Sequence, residues 1–278
     1  MNMLSKESIV EFAADLREKE KAASTIVKYR KAAERFGEYL AGREITKERL
    51  LEYRSCLTET FQAQTVNGNL SAINAYLDFR GLSECKVKLL KVQRQAFLDE
   101  TKELSEEEYK RLLREARKRK DQRLYLILMT LCSTGIRISE LRYITVEAAR
   151  TGRARIQLKG KNRIVLIPRE LRVKLLRYAK EKEIESGHIF RTRSGNMVDR
   201  SNICHDMKKL CQMGQVDPRK VFPHNLRHLF ARTFYEVEKN LAHLADVLGH
   251  SKIETTRIYV AVSASAHERT LEKMGLVI

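Results

Sequence analysis

Three prolines and twelve glycines in 278 residues exclude a collagen-like or low-complexity chain. No apolar run approaches the roughly 20 residues that cross a bilayer, so no membrane partner is expected. Residues 1–15 lack the basic, apolar and small-residue succession of a secretion signal, and the chain reads as cytoplasmic. The five cysteines, Cys56, Cys85, Cys132, Cys204 and Cys211, are odd in number, scattered and without a CxxC pair, which excludes a disulfide scaffold or a zinc ribbon and leaves small buried thiols. There is no clustered acidic triad, no HExxH and no spaced Cys/His quartet, so neither a metal nor a cofactor is expected.

What the chain has in excess is positive charge, 54 Lys+Arg against 36 Asp+Glu, a net +18. Residues 1–100 hold 17 Lys+Arg and 15 Asp+Glu, so nearly all of the excess lies beyond residue 100. Such an imbalance points to a polyanionic partner, nucleic acid first among them, against the plainer reading of a solvated basic surface. The remaining composition, 43% apolar and 32% charged, is that of a water-facing globular protein.

Apolar residues at helical spacing organise the first eighty residues into four amphipathic helices. Ser8 with Glu11 is the expected cap of the first, which carries Ile9, Phe12, Ala13 and Leu16. The second opens at Thr25 and ends at Gly42, the third opens at Thr46, and the fourth carries Val66, Leu70, Ile73 and Leu77 before Gly81. The pattern breaks down over the polar residues 89–103, a linker. Ser105 with Glu108 caps a new helix, and Leu124 to Cys132 reads as a buried helix that ends at Ser133-Thr134-Gly135. Two β-prone runs, Ala154 to Leu158 and Arg163 to Ile167, form a hairpin joined by Lys159-Gly160-Lys161-Asn162. Helices follow over 169–182, 202–213, 225–238 and 240–248, the last closed by Gly249, and Ser251 with Glu254 caps a short one that carries Tyr259. The expectation is a mainly α chain with a small β-hairpin, divided into a helical domain over 1–88, a linker over 89–103 and a mixed α+β domain over 104–278 with an apolar tail.

Several polar residues sit awkwardly for a purely structural account. Arg137 follows a buried helix and a tight turn. His224 and Arg227, three apart at the start of a helix, share one face near its positive end. His250 stands just past the glycine that caps a helix, nine residues before Tyr259. Singly, each is more often a solvated charge, a structural histidine or a core tyrosine.

Together they form a pattern. In order the chain offers TGIRISEL at 134–141, Lys159-Gly160 in the hairpin, HNLR at 224–227, LGH at 248–250 and Tyr259 in TTRIY. In order and spacing this resembles the tyrosine recombinase, or phage integrase, family, and most of all its Xer-like two-domain members. The resemblance implies a helical core-binding (SAM-like) DNA-binding domain ahead of a catalytic domain, and a site-specific recombinase that cuts and rejoins duplex DNA through a 3′-phosphotyrosyl bond without metal or ATP. It assigns Tyr259 as nucleophile, Arg137 and Arg227 as forked donors to the phosphate oxygens, His224 as proton acceptor, His250 as a phosphate hydrogen-bonder and Lys159 as general acid to the departing 5′-oxygen. The family's hairpin is one residue longer, so Lys161 stays open as the alternative to Lys159. Glu140 is either an orienting partner of Arg137 or a solvated carboxylate. His205, His228, His243 and His267 carry no motif role. The resemblance also implies four protomers on two duplexes, with the tail from Ala264 to Ile278 docked on a neighbour. Accessory proteins, the DNA site and the choice among integration, excision and dimer resolution stay open. The absence of an arm-binding N-terminal domain favours a simpler recombinase, such as those of mobile elements. Two alternatives remain: a type IB topoisomerase and a non-catalytic DNA-binding regulator.

Overall fold

Residues 3–92, 100–158, 161–192, 194–259 and 272–274 are described by the computed structural model. The chain divides into two compact units, Met1–Arg94 and Gln95–Ile278. It is mainly helical with one two-stranded antiparallel sheet, as the sequence predicts.

The first unit is a bundle of α1 (Lys6–Glu18), α2 (Ala23–Leu40), α3 (Lys47–Thr60) and α4 (Ala63–Phe79). Its core gathers the expected stripes, among them Phe12, Phe36, Leu50, Leu70 and Tyr76, with the Phe12 and Tyr76 rings edge to face at 5.3 Å. The cap of α1 is Ser5, not Ser8: Ser8 is the third helical residue, and its buried hydroxyl lies 2.7 Å from the Tyr76 hydroxyl. α2 ends in a left-handed Ala41 rather than at Gly42. From α4, Asn74 holds the backbone of Val87 and Asn67 that of Leu90, each amide side chain both donating to and accepting from the main chain. Of the expected linker, residues 93–99 lie outside the described residues.

In the second unit α6 (Gln122–Thr134) is central. It packs against α5 (Glu106–Lys118), α8 (Arg169–Glu181), α9 (Arg200–Gly214) and α10 (Pro223–Glu238), which explains why its apolar residues run around the helix instead of along one stripe. The Ser105–Glu108 capping box that opens α5 is formed as expected. The short α7 (Val146–Thr151) and a 3-10 turn over Ile138–Tyr143 have no counterpart in the sequence reading, both being too short for a periodic signal.

Strands β1 (Arg153–Leu158) and β2 (Lys161–Leu166) pair with Leu158 opposite Lys161, so the second strand starts two residues earlier than expected and only Lys159 and Gly160 separate the strands. The pleat turns Ala154 and Ile156 of β1, with Val165 of β2, into the core, while Ile164 and Leu166 face outward. Arg163, opposite Ile156, occupies the inward face at the far end of this row. Finally α11 (Leu241–Leu248) and α12 (Glu254–Arg257) pack beside α10 around Ala231, Leu244, Leu248 and Tyr259. α12 has no side-chain cap, so the expected Ser251–Glu254 cap is not made.

Candidate active site

The two buried ends of α6 and α11 meet over Arg227. Gly135 and Gly249 close these helices in the left-handed conformation, at φ +61° and +67°. Arg227, on the second turn of α10 and 1% exposed, donates to the Gly135 carbonyl through Nη1 and to the Leu248 carbonyl through Nη2 at 2.8 Å. Both helix C-termini thus present their electronegative ends to one guanidinium. The same Nη2 donates to His250 Nε2 at 2.9 Å. Since Arg227 can only donate, His250 must carry its proton on Nδ1, which then donates to Thr256 Oγ1 at 2.9 Å. Arg227 Nε is buried without a hydrogen-bond partner among the described residues.

Arg137 lies on the turn beyond Gly135 and is 43% exposed on its side chain. Its backbone N–H and its Nη1 both donate to Glu140, at 2.7 and 3.2 Å. Glu140 is 2% exposed, which settles its two readings in favour of the orienting partner. It is shared: Arg163 reaches from β2 to Glu140 Oε2, the oxygen that the Arg137 backbone N–H also binds, at 2.7 Å, and donates as well to the Val247 carbonyl of α11. One carboxylate therefore ties the Arg137 turn and the hairpin together, and the Arg163 guanidinium continues to α11. Arg137, Glu140, Arg163, Gly249 and His250 line a cleft of about 820 Å³.

Tyr259, two residues past α12, is 2% exposed. Its ring stacks on His250 at 5.6 Å with a 17° interplanar angle, and meets His224 at 6.0 Å and His228 at 4.6 Å edge to face. Burial first, then the charges of Arg227, Arg137 and Arg163, push the His250 imidazole down to about 4. His224, exposed on one side, shifts the same way, through burial and then His228, Arg227 and Arg137. Both rings are neutral near pH 7. Arg227 is pushed down to about 10, by burial and then by Arg137, with the Tyr259 phenol acting in the opposite direction, and so stays charged.

The structure thus brings together five of the six residues singled out in the sequence: Arg137, His224, Arg227, His250 and Tyr259. The sixth, Lys159, lies outside the described residues; Lys161 belongs to the backbone pairing of β2. Sequence reasoning passed over His228, whose ring touches Tyr259, and Arg163 and Thr256, which hold the site from behind. The one available signal was the four-residue spacing of His224 and His228, which puts both on one helix face.

A phenol buried among imidazoles beside two guanidiniums, on this two-unit frame, defines a tyrosine recombinase. The family model of the phage integrase family matches residues 102–266, and the chain belongs to that family. It is similar over nearly its whole length to tyrosine recombinase XerA of Pyrococcus furiosus, at 28% identity covering 99% of this chain and 96% of that protein. XerA of Thermococcus kodakarensis is 29% identical, covering 98% and 96%. Among solved structures it shares its fold with the XerH site-specific recombinase bound to difH substrate, with a TM-score of 0.71 at 18% identity over 97% of this chain and 89% of that one. A lambda integrase dimer bound to a COC′ core site gives 0.73 at 14% identity, over 92% and 95%.

Proposed function

We propose that the cluster around Tyr259 is the strand-transfer centre of a site-specific recombinase acting on double-stranded DNA. That the chain is a DNA strand-cleaving and rejoining enzyme follows from its family; the topoisomerase and the non-catalytic regulator are not favoured, because the relatives matching its full length are recombinases. The observation that carries the residue roles is the packing of the Tyr259 ring against His250 and His224 beside the buried Arg227.

In this scheme a scissile phosphate sits in the cleft beside Arg137 and Arg227, whose permanent charges meet the charge that builds on the non-bridging oxygens as the phenol attacks. Arg227 is suited to that task because backbone carbonyls fix it without neutralising it. Tyr259 Oη bonds to phosphorus while the 5′-oxygen leaves; the phenolic proton passes to neutral His224, and Lys159, or Lys161 in its place, protonates the leaving oxygen. His250 presents its ring along the Tyr259 face; with Nε2 accepting from Arg227 and its one N–H given to Thr256, it acts by fixing the Arg227 guanidinium and has no proton to donate to the phosphate in this arrangement. The product is a 3′-phosphotyrosyl bond, whose reversal by a 5′-hydroxyl rejoins the strand without ATP. Neutral imidazoles at the working pH support the acceptor role of His224, since a protonated ring has no lone pair to offer.

Assembly on DNA is the other half of the reading. XerH and lambda integrase have been solved on their DNA sites, the latter as a dimer. We extend this to a tetramer on two duplexes, in the cytoplasm, with any accessory protein acting from outside the centre. Replacing Tyr259 by Phe is expected to abolish covalent protein–DNA adducts on a nicked duplex made from the flanks of the gene, with DNA affinity kept within about twofold, because the lost hydroxyl reacts but does not anchor DNA. Adducts that survive the substitution overturn the reading.

A further inference from the structure

Two largely buried polar side chains, His228 and Glu103, take no part in the scheme above. His228 follows Arg227 on α10 and lies four residues after His224, whose ring it meets at 4.6 Å. Its other flank receives Tyr259 at 4.6 Å and 86°, the shortest of the three ring contacts to that phenol. Behind it, Nδ1 lies 3.2 Å from Glu103 Oε1, and the second Glu103 oxygen lies 3.7 Å from Arg232 Nη2. Arg232 is itself fixed by donating to the Leu104 carbonyl at 2.6 Å. Burial works against the Glu103 carboxylate, but the hydrogen bond and charge of His228, with the Arg232 charge, hold its pKa below the usual glutamate value. His228 Nε2 is buried with no hydrogen-bond partner among the described residues.

A ring needed only as filler has no use for a buried carboxylate, since an apolar residue packs as well and carries no desolvation cost. The carboxylate does one thing that packing does not. As an acceptor it requires Nδ1–H, so rotating the imidazole would break the bond and leave the largely buried carboxylate with only the longer ion pair to Arg232. The orientation of the ring that touches Tyr259 is therefore set from the segment ahead of α5.

We propose that Glu103 and His228 form a positioning pair for the nucleophile, Glu103 locking the His228 ring and the ring pinning the Tyr259 phenol in its attacking place. The proposal rests on the reading of Tyr259 as nucleophile. Misplacing a reacting group by about 1 Å costs on the order of a hundredfold in rate, so loss of either partner slows chemistry without weakening DNA binding.

The test is single-turnover cleavage of a nicked duplex, its sequence selected from a random library by binding to the purified full chain. His228→Ala and Glu103→Ala are expected to lower the saturated cleavage rate about tenfold to a hundredfold, with the DNA dissociation constant within about twofold of the wild type. The double variant is expected to be no slower than the slower single one, because both changes remove one device. Glu103→Gln, which keeps an acceptor oxygen of the same reach, recovers part of the rate. Wild-type rates in the single variants, equal losses of binding and cleavage, or losses that multiply in the double variant overturn the pair. Should the alanine variants fail to fold, the wild-type protein labelled at His and Tyr gives the answer: a cross-relaxation peak between the His228 and Tyr259 rings and a protected His228 Nδ1–H are required, and their absence rejects the proposal. Tyr259→Phe runs alongside. If it still forms adducts, the reading of the centre falls; if it does not, and the Glu103 and His228 variants cleave normally, only the pair falls.

Discussion

His250 shows how one residue couples folding to the site. Its Nε2 accepts from Arg227, which a protonated ring cannot do, so the folded state holds the imidazole neutral down to about pH 4 while an unfolded chain protonates it near the ordinary value of about 6.5. A depressed folded-state pKa means that the unfolded chain binds the extra proton, and the associated stability is present above about pH 6.5 and lost as pH falls towards 4. Melting temperatures are expected to drop across that window, and His250→Gln, which has no such proton to bind, is expected to flatten the drop; equal slopes in both proteins refute the linkage. Residues of this kind were legible in the sequence because their chemistry is unusual at a helix end: Arg137, His224, Arg227, His250 and Tyr259 were all marked by type and spacing. His228 and Glu103 were not, because their contact joins positions 125 residues apart and neither type is out of place where it stands.

At the scale of elements, the hairpin and α11 are joined by the fit of Arg163 over Gly249. A Cβ at residue 249 would lie 2.5 Å from Arg163 Cδ and 2.9 Å from its Nε, at a backbone φ of +67° that side chains rarely adopt. Gly249→Ala is expected to cost about 1 kcal/mol from the backbone alone, and more from displacing Arg163. Because Arg163 shares Glu140 with Arg137, the cleavage rate should fall further than the loss of stability explains; denaturant titration and single-turnover cleavage measured together check this. Where helices lie was legible from periodicity, but their edges were less so. Ser5 and Ser8 both suit a cap, and only the bond from Ser8 to Tyr76, made in three dimensions, decides between them. The start of β2 was missed because Lys161 and Asn162 are polar, although both pair with β1, opposite Leu158 and Gln157.

For the whole molecule the asymmetry of charge is the leading fact. With nearly all of the net +18 beyond residue 100, DNA affinity should fall linearly in a plot of log K against log salt, and neutralising one phosphate-contacting Lys or Arg of the second unit should reduce the slope by about one. A slope that stays the same after several such changes would show that phosphate contacts lie elsewhere. The division into two units was legible from the break in helical pattern; the Asn67 and Asn74 clamps on residues 87–90 were not, since their partners are backbone groups 23 and 13 residues away, which no local pattern marks.

The seat of Tyr259 has a further consequence. Its ring rests on histidines of its own chain, so in the scheme proposed above one subunit owns both the attacking group and the cations that receive the phosphate. A blend of Arg227→Ala and Tyr259→Phe subunits should therefore be inert, each lacking what the other cannot lend, and denaturing gels of the blended proteins on a nicked duplex should show no adduct. Were the tyrosine delivered from a neighbour, the same blend would regain activity.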